Sequence, residues 1–349
     1  MIEPILKLNN IHKSFRSAAG KVNALNDVNL EILPGQTLGL VGESGSGKTT
    51  LGRVIIGLLQ ADAGQIRFRD QLITKKFNVR SPALRGHLQF VFQEPSESLD
   101  PRLSVRRIIA EPLIGQGVDK SLLDGRIAST LELIGLDAGL LGKLPGEISA
   151  GMQQKVGIAR ALVTNPDLVV LDEPTSALDP KARADLLETL AEVQEKTSVS
   201  YILISHDLST VRSVTDVTAV MYLGEIVEVG KTETIFTRPK HPYTAALLDA
   251  VLLPLPGLFS ESEERLKGEI PSPIDLPKGC YLATRCRHAN DTCRASHPDL
   301  VVRDDVKVRC SNMDALTHAD STSSRFETFD KTIRLKIEEL SVQHAVGSD

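Results

Sequence analysis

A glycine- and serine-rich stretch at residues 42–49, Gly-Glu-Ser-Gly-Ser-Gly-Lys-Thr, constrains the fold more than any other part of the sequence. It matches the pattern G-x-x-x-x-G-K-[ST], in which glycines let the backbone curl until successive N–H groups point at phosphate oxygens. A β-compatible run at 37–41 precedes it, and a run with helical spacing at 48–59 follows it. This order predicts an α/β core in which a helix directs its positive N-terminal end at a phosphate group.

Side chains of the same loop are expected to supply a positive charge and a metal ligand. Lys48 is expected to reach the outer phosphates of a nucleotide, and the Thr49 hydroxyl is expected to bind Mg²⁺. The candidate nucleotide-binding residues of this loop are Gly42, Glu43, Ser44, Gly45, Ser46, Gly47, Lys48, Thr49 and Thr50.

A second chemical element is predicted at residues 168–173, where the apolar run Leu-Val-Val-Leu ends in Asp172 and Glu173. A wholly apolar strand is typical of a parallel sheet that is buried on both faces. Asp172 is predicted to help hold Mg²⁺, and Glu173 is predicted to polarise the water that attacks the phosphate.

The overall composition is that of a globular protein, with 349 residues of which 41% are hydrophobic and 24% are charged. The net charge of −5 gives no support to nucleic-acid binding through overall charge, and we expect no nucleic-acid partner. No apolar run approaches the roughly 20 residues that span a membrane, and the N-terminus lacks the layout of a secretion signal. We therefore expect a cytosolic protein that reaches a membrane only by docking onto another protein.

Strands alternate with helices up to about residue 235, which predicts a parallel α/β core. Prolines then become frequent and the periodicity fades, so 236–315 is predicted to be a small appended region. The polar stretch 316–349 is predicted to be a mobile tail. Predicted strands lie at 5–8, 28–32, 37–41, 88–92, 168–171, 201–204 and 217–222, and predicted helices lie at 48–59, at 182–195 and over most of 105–142, with a break at Gly115 and Gly117.

Further motifs follow residues 42–49, called the phosphate loop from here on, in a fixed order along the chain. They are Gln93, then Ser149-Ala150-Gly151-Met152-Gln153, then Asp172-Glu173, then Ser176-Ala177-Leu178-Asp179, and finally His206. In order and spacing, this set resembles the nucleotide-binding subunit of ATP-binding-cassette (ABC) transporters. The resemblance implies an α/β, P-loop NTPase fold of the ABC type over 1–235, with a helical subdomain at about 94–165.

The same resemblance implies a role for each motif in ATP hydrolysis. Gln93 would bind Mg²⁺ or the attacking water, Glu173 would act as the base, and His206 would donate a hydrogen bond to the γ-phosphate. Phe15 stands where the family stacks an aromatic ring on adenine, and Asp179 would face a neighbouring subunit. The Mg²⁺ ligands implied are Thr49, Gln93 and Asp172.

In this family two subunits enclose two ATP molecules between them. The resemblance implies that Ser149, Ala150, Gly151, Met152 and Gln153 act on the ATP held by the partner's phosphate loop, through bare N–H groups at a helix N-terminus. The family's usual sequence here is L-S-G-G-Q, so Ala150 replaces a glycine. If that position needs a positive φ or a close approach to phosphate, a Cβ atom would weaken the site.

The C-terminal third resembles the extension found in ATPase subunits of oligopeptide, dipeptide and nickel importers. The segments that carry this resemblance are 238–248 and 279–286, while residues 93–102 lean towards the F-type subunit of that group. It implies a cassette that pairs with a second ABC ATPase, as a heterodimer or a homodimer. The pair would dock on two transmembrane permease subunits at the cytoplasmic face of the membrane. An extracytoplasmic solute-binding protein would deliver the solute. Peptides are the expected solute. The alternatives are nickel or a sugar, or a soluble ABC ATPase that acts on DNA or ribosomes.

All four cysteines of the chain, Cys280, Cys286, Cys293 and Cys310, fall in the appended region. Their spacing does not match the paired C-x2-C pattern of a zinc site. A [4Fe–4S] cluster or another metal, reduced structural thiols, and disulfides all remain open.

Overall fold

The computed structural model describes residues 2–73, 84, 86–94, 98–250 and 266–316. The chain divides into a first unit, Met1–Glu225, and a second unit, Ile226–Asp349. The tail predicted at 316–349 lies outside the described residues, apart from Leu316 at its start. Across these ranges, no helix is both long enough and apolar enough to cross a membrane.

The first unit contains two sheets and a group of helices. Its strands are β1 (Leu6–Ser17), β2 (Gly20–Ile32), β3 (Thr37–Val41), β4 (Ala63–Phe68), β5 (Gln71–Ile73), β6 (Leu88–Val91), β7 (Leu168–Asp172), β8 (Ser200–Ile204) and β9 (Val217–Tyr222). Its helices are α1 (Lys48–Ile55), α2 (Val105–Gly115), α3 (Lys120–Leu133), α4 (Ala150–Leu162), α5 (Pro180–Thr197) and α6 (Leu208–Val214).

The strands of the parallel sheet in this unit follow the order β6-β7-β8-β3-β9. Every residue of β3, β7 and β8 is buried, as expected for parallel strands that are covered on both faces. The register places Asp172 beside Ile204, and Leu40 beside the same Ile204. The loops that leave β3, β7 and β8 therefore start at one edge of the sheet, which is where α/β folds bind their ligands.

An antiparallel sheet of order β2-β1-β4-β5 also belongs to the first unit. The strands predicted at 5–8 and 28–32 are much longer, because polar residues on the more exposed face interrupt the apolar pattern without ending the strand. The sequence reasoning missed β4 and β5. Their hairpin turns at Arg69 and Asp70, with φ of 48° and 60°, and positive φ at such a turn is usually signalled by Asn or Gly.

Three helices, α2, α3 and α4, share one apolar core. Ile108 and Leu113 of α2, Ile127 of α3, and Val156 and Ile158 of α4 belong to it and are almost completely buried. The predicted break in 105–142 is observed, because α2 ends at Gly115 and α3 begins at Lys120. The helix predicted over 48–59 is shorter and ends at Ile55, close to Gly57 with its φ of +74°.

The second unit combines short helices with a small antiparallel sheet. Its elements are β10 (Glu225–Lys231, which begins at the boundary between the units), α7 (Thr232–Thr237), α8 (Pro242–Asp249), α9 (Asp291–Ala295), β11 (Val301–Arg303) and β12 (Val306–Val308). Strand β12 pairs with both β10 and β11. The sequence reasoning missed β11 and β12, since three-residue strands leave almost no period to detect.

Candidate nucleotide site

The phosphate loop leaves β3 in a backbone conformation that requires glycine. Gly42, Gly45 and Gly47 have φ of 152°, 79° and 106°. A Cβ atom on Gly42 would lie 2.1 Å from the backbone oxygen of Met221, and one on Gly47 would lie 2.5 Å from that of Ala24. The positive φ disfavours a side chain at all three glycines, and the space around Gly42 and Gly47 also excludes one.

Lys48 is buried at the start of α1 with its ammonium group turned back onto the loop. Its Nζ atom donates to the backbone oxygens of Gly42 at 2.8 Å and Glu43 at 2.9 Å. Burial lowers the pKa of Lys48, while the nearby carboxylates of Glu173, Asp172 and Glu43 oppose that shift. A polyanion in the loop would give this desolvated cation stronger partners than two carbonyl groups do.

The remaining loop residues differ in exposure. Ser44 and Gly45 are exposed, whereas Ser46 is buried and its N–H donates to the backbone oxygen of Glu43 at 3.2 Å. Helix α1 has Gly47 at its N-cap, and no side chain caps it there. The first N–H groups of α1, next to Thr49 and Thr50, thus lack a side-chain cap that would compete with a phosphate.

Thr49 and Asp172 meet although they are far apart in the sequence. The Thr49 hydroxyl donates to Oδ1 of Asp172 at 3.1 Å. Asp172 is 2% exposed, and burial raises its pKa while the Thr49 hydrogen bond lowers it. A hydroxyl and a carboxylate oxygen side by side suit Mg²⁺, which prefers hard oxygen ligands and takes few of them from the protein when phosphates supply the others.

Gln93, Glu173 and His206 form a second cluster at the same edge of the sheet. Oε2 of Glu173 accepts a hydrogen bond from Nε2 of Gln93 at 3.1 Å, and its Oε1 lies 3.2 Å from Nδ1 of His206. Glu173 has a φ of 47°, and its N–H donates to the backbone oxygen of Ile204 at 2.9 Å. A carboxylate held this way between an amide and an imidazole can accept a proton from a water molecule.

The segment 149–153 starts helix α4. Ser149 is the N-cap, and its hydroxyl accepts the N–H of Met152 at 3.3 Å. Gln153 is held by the backbone oxygens of Pro145 and Ile148. No hydrogen bond or ion pair between described residues joins segment 149–153 to the clusters around Lys48 and Glu173.

Ala150 is the first residue of α4 and does not have a positive φ. One of the two reasons for expecting it to weaken the site is therefore removed. Neighbouring Gly151 has open space: among the described residues, the atoms nearest to a Cβ there would be 3.9 Å away. The remaining reason to expect a weakened site is that the Cβ atom of Ala150 would approach a phosphate held by another chain.

Phe15 and Asp179 lie outside the two clusters described above. Phe15, on β1, is 38% exposed, and the Lys13 ammonium lies 5.4 Å from the centre of its ring. An exposed ring is free to stack on a base. Asp179 caps α5 and accepts the N–H groups of Lys181 and Ala182, both at 3.0 Å.

The four cysteines line one small cavity of the second unit, together with His241 and His288. They form no disulfide. Burial, with a smaller contribution from the other three cysteines, raises the pKa of Cys310 to about 12. In the described part of the chain, no three His, Cys, Asp or Glu side chains converge closely enough to hold a metal ion.

Two residues near His206 were missed by the sequence reasoning. Asp207 caps α6 by accepting the N–H groups of Ser209 and Thr210, and Arg183 of α5 pairs with it at 2.6 Å. The position of Asp207, immediately before a run with helical spacing, was the available signal. Nothing in the sequence indicates its pairing with Arg183.

Comparisons with known proteins agree with this geometry. Residues 25–176 match the family described as ABC transporter, and residues 227–293 match that described as oligopeptide/dipeptide transporter, C-terminal region. The oligopeptide transport ATP-binding protein AppF of Bacillus subtilis is 39% identical over 307 residues, covering 85% of this chain and 93% of that protein. Its counterpart OppF of Haemophilus influenzae is 37% identical over 308 residues, with the same coverage.

Solved structures similar to this chain are ABC cassettes. The dimeric post-hydrolysis state of the cassette MJ0796 with ADP and Pi is 28% identical and has a TM-score of 0.60, covering 65% of this chain and 98% of that one. CbiO1 of Clostridium perfringens, part of the transporter complex cbiONQ, is 27% identical with a TM-score of 0.60, covering 68% and 92%. The predicted fold and family are confirmed: the chain belongs to the ATP-binding subunits of ABC transporters and carries the C-terminal region of the oligopeptide/dipeptide group.

Proposed function

We propose that this ABC-type ATPase supplies the energy for peptide uptake across the cytoplasmic membrane. The observation that carries the proposal is the match of residues 227–293 to the oligopeptide/dipeptide transporter region. The first unit adds support, because it brings together side chains that we expect to act in hydrolysis. Relatives with both parts are named oligopeptide transport ATP-binding proteins. This match disfavours a soluble ABC ATPase that acts on DNA or ribosomes.

The two clusters divide the work of hydrolysis. The phosphate loop and Lys48 hold the outer phosphates of ATP, and Thr49, Asp172 and Gln93 would hold Mg²⁺, which neutralises charge on those phosphates. Glu173 accepts a proton as the oxygen of a water molecule attacks the γ-phosphorus. The bond from the γ-phosphorus to its bridging oxygen breaks, giving ADP and phosphate, while His206 hydrogen-bonds the γ-phosphate.

A second cassette completes each site. Ser149 to Gln153 face the ATP of the partner, Phe15 stacks on the adenine, and Asp179 lies at the contact between the cassettes. Support comes from the space beside Gly151 at the start of α4 and from a similar cassette solved as a dimer.

Residues 1–235 would be the cassette, with a helical subdomain at about 94–165 and an extension at 236–315. The partner would be a similar ATPase or a second copy, and the pair would dock on two permease subunits, at the cytoplasmic face, that receive solute from a binding protein.

Solute uptake by intact cells tests the proposal. Cells lacking the chain are given the wild type, Lys48→Ala, or the control Lys196→Gln, and uptake of a labelled tripeptide, nickel and a disaccharide is measured. Tripeptide uptake restored by the wild type and the control, but not by Lys48→Ala, is expected. Restored nickel or sugar uptake without tripeptide uptake would contradict peptide as the solute, and equal function of Lys48→Ala would contradict ATP-driven transport.

We also propose that the four cysteines bind a [4Fe–4S] cluster. Four thiols around one cavity match the ligands such a cluster takes. A cluster spaces its thiolates more widely than a single ion does, so the lack of a single-ion site among the described residues is compatible with it. Anaerobically purified protein should absorb at about 400 nm and contain about four irons per chain, and Cys310→Ser should lose both. Colourless, iron-free wild-type protein would favour reduced thiols.

A further inference from the structure

An ion pair outside the two clusters connects the start of α5 to the residue that follows His206. Nη1 of Arg183 lies 2.6 Å from Oδ2 of Asp207. Both side chains are about one third exposed, and the Arg183 Nε atom is buried without a hydrogen-bond partner among the described residues. The guanidinium is thus held at one end by Asp207 and enclosed at the other.

Asp207 in turn fixes the backbone next to His206. Its Oδ1 accepts the N–H groups of Ser209 and Thr210, its Oδ2 accepts the Thr210 hydroxyl at 2.9 Å, and its own N–H donates to Oγ of Ser205 at 3.0 Å. The side chain of His206 is 65% exposed, so packing does little to hold it. Asp207 therefore helps to position the peptide that carries His206.

Arg183 is tied at its other end to the loop that contains Asp179. The N–H of Arg183 donates to the backbone oxygen of Asp179 at 2.9 Å, in the first turn of α5. That loop begins at Glu173, whose backbone oxygen accepts the N–H and the hydroxyl of Ser176. These contacts, joined along the chain from Ser176 to Asp179 and from Asp207 to His206, close a ring that returns from His206 to Glu173.

We propose that Arg183 is a positioning residue for ATP hydrolysis: through Asp207 it couples the loop at 176–179 to His206. The inference rests on the proposed function, because it assumes that His206 and Glu173 act on ATP. A shift of the Asp179 loop, which is expected at the contact with a second cassette, would be transmitted along this ring to the hydrolysis cluster. Arg183 itself touches neither the loop 42–49 nor Glu173 in the contacts described.

The experiment measures ATP hydrolysis, and equilibrium binding of ATP, in the complex that co-purifies with the tagged full-length chain. Arg183→Gln removes the charge, Arg183→Lys keeps it, and Asp207→Asn keeps a good helix cap while removing the charge on its partner. Lys196→Gln is the matched control, since it breaks a solvent-exposed ion pair with Glu192 on the same helix. Glu173→Gln reports on the proposed function itself.

Arg183→Gln and Asp207→Asn are each expected to lower kcat about tenfold or more, with KM and ATP affinity within about twofold of wild type. Arg183→Lys should keep more than half of kcat, and the double variant should lose no more than either single one. The thermal unfolding midpoint should stay near that of Lys196→Gln, because partly exposed ion pairs add little stability.

Three results would overturn the inference. The first is a kcat of Arg183→Gln within twofold of the wild-type value. The second is a loss of ATP affinity or thermal stability as large as the loss of kcat. The third is a double variant whose loss of kcat equals the product of the two single losses. A wild type no faster than Glu173→Gln would contradict the proposed function, and the inference with it. A wild type that is much faster than Glu173→Gln, with Arg183→Gln unaffected, would contradict the inference alone.

Discussion

Nε2 of Gln93 donates a hydrogen bond of 3.1 Å to Oε2 of Glu173, although the two residues are 80 positions apart in the sequence. The pairing of β6 with β7 produces this contact, since each residue follows the carboxyl end of one of these parallel strands. The other carboxylate oxygen of Glu173 lies against His206, just after β8. The three neighbouring strands β6, β7 and β8 are thus each followed by one residue of the cluster that we expect to activate water.

Glu173→Gln should stop hydrolysis while leaving ATP bound. The amide keeps the size of the side chain but does not accept a proton at neutral pH, so the ATPase rate should fall about 100-fold or more. Steady-state hydrolysis and equilibrium ATP binding are the measurements, with the exposed Glu188→Gln on α5 as the control. If both variants retained the wild-type rate, Glu173 would not be the base.

Gly47→Ala should destabilise the fold more than Gly45→Ala does. Both glycines have a positive φ, which costs an alanine about 1–2 kcal/mol. A Cβ on Gly47 would also lie 2.5 Å from the backbone oxygen of Ala24, whereas one on Gly45 would meet nothing within 4 Å. Denaturant unfolding without nucleotide compares the two directly. Equal losses of stability would mean that the loop can move away from Ala24 at little cost.

Ala150→Gly tests whether a Cβ at the start of α4 hinders the phosphate of a partner's ATP. We expect a faster ATPase rate in the assembled complex, and a loss of stability of about 1 kcal/mol or less from the poorer helix former. Ala128→Gly, at an exposed position in α3, should show the loss of stability without the gain in rate. An unchanged rate in Ala150→Gly would contradict the hypothesis of a weakened site.

Glu228→Gln should make the stability of the protein depend more strongly on pH. Glu228 is completely buried and accepts the N–H groups of Lys240 and His241. Burial raises the pKa of Glu228 from 4.5 to about 7, so its contribution to stability is full below about pH 4.5 and is lost as the pH rises to 7. Burial lowers the pKa of His241 from 6.5 to about 3, so its contribution is present above about pH 6.5 and is lost as the pH falls.

Between about pH 4.5 and 6.5, Glu228 makes the free energy of unfolding fall with rising pH, whereas His241 makes it rise. In Glu228→Gln only the effect of His241 remains. The free energy of unfolding of this variant should therefore rise by about 2 kcal/mol more than that of the wild type between about pH 5 and pH 6.5. Below about pH 4.5, where Glu228 makes its full contribution, the variant should be less stable than the wild type, because an amide has one acceptor oxygen for two N–H groups. Urea unfolding at both pH values is the measurement, with the exposed Glu233→Gln as control. Parallel pH profiles of wild type and Glu228→Gln would contradict this account.

The sequence by itself determined the parts of the site that are local in the chain. The loop 42–49 and the apolar run that ends in Asp172 follow from residue type and spacing, because glycine conformation and strand patterning act over a few residues. The family and its nucleotide fold followed from the order of those motifs. Strand lengths at 6–32 and the hairpin at Arg69 and Asp70 did not, since pairing partners rather than the local pattern extend those strands.

Only the tertiary structure decided which side chains meet. The register of the parallel strands brings Thr49 to Asp172 and Gln93 to Glu173, and the packing of α5 beside α6 brings Arg183 to Asp207. It also showed that Ala150 lies in an ordinary helical conformation, which residue type could not reveal. Contacts between distant residues depend on how the whole sheet is assembled, and a single sequence carries no local signal for that.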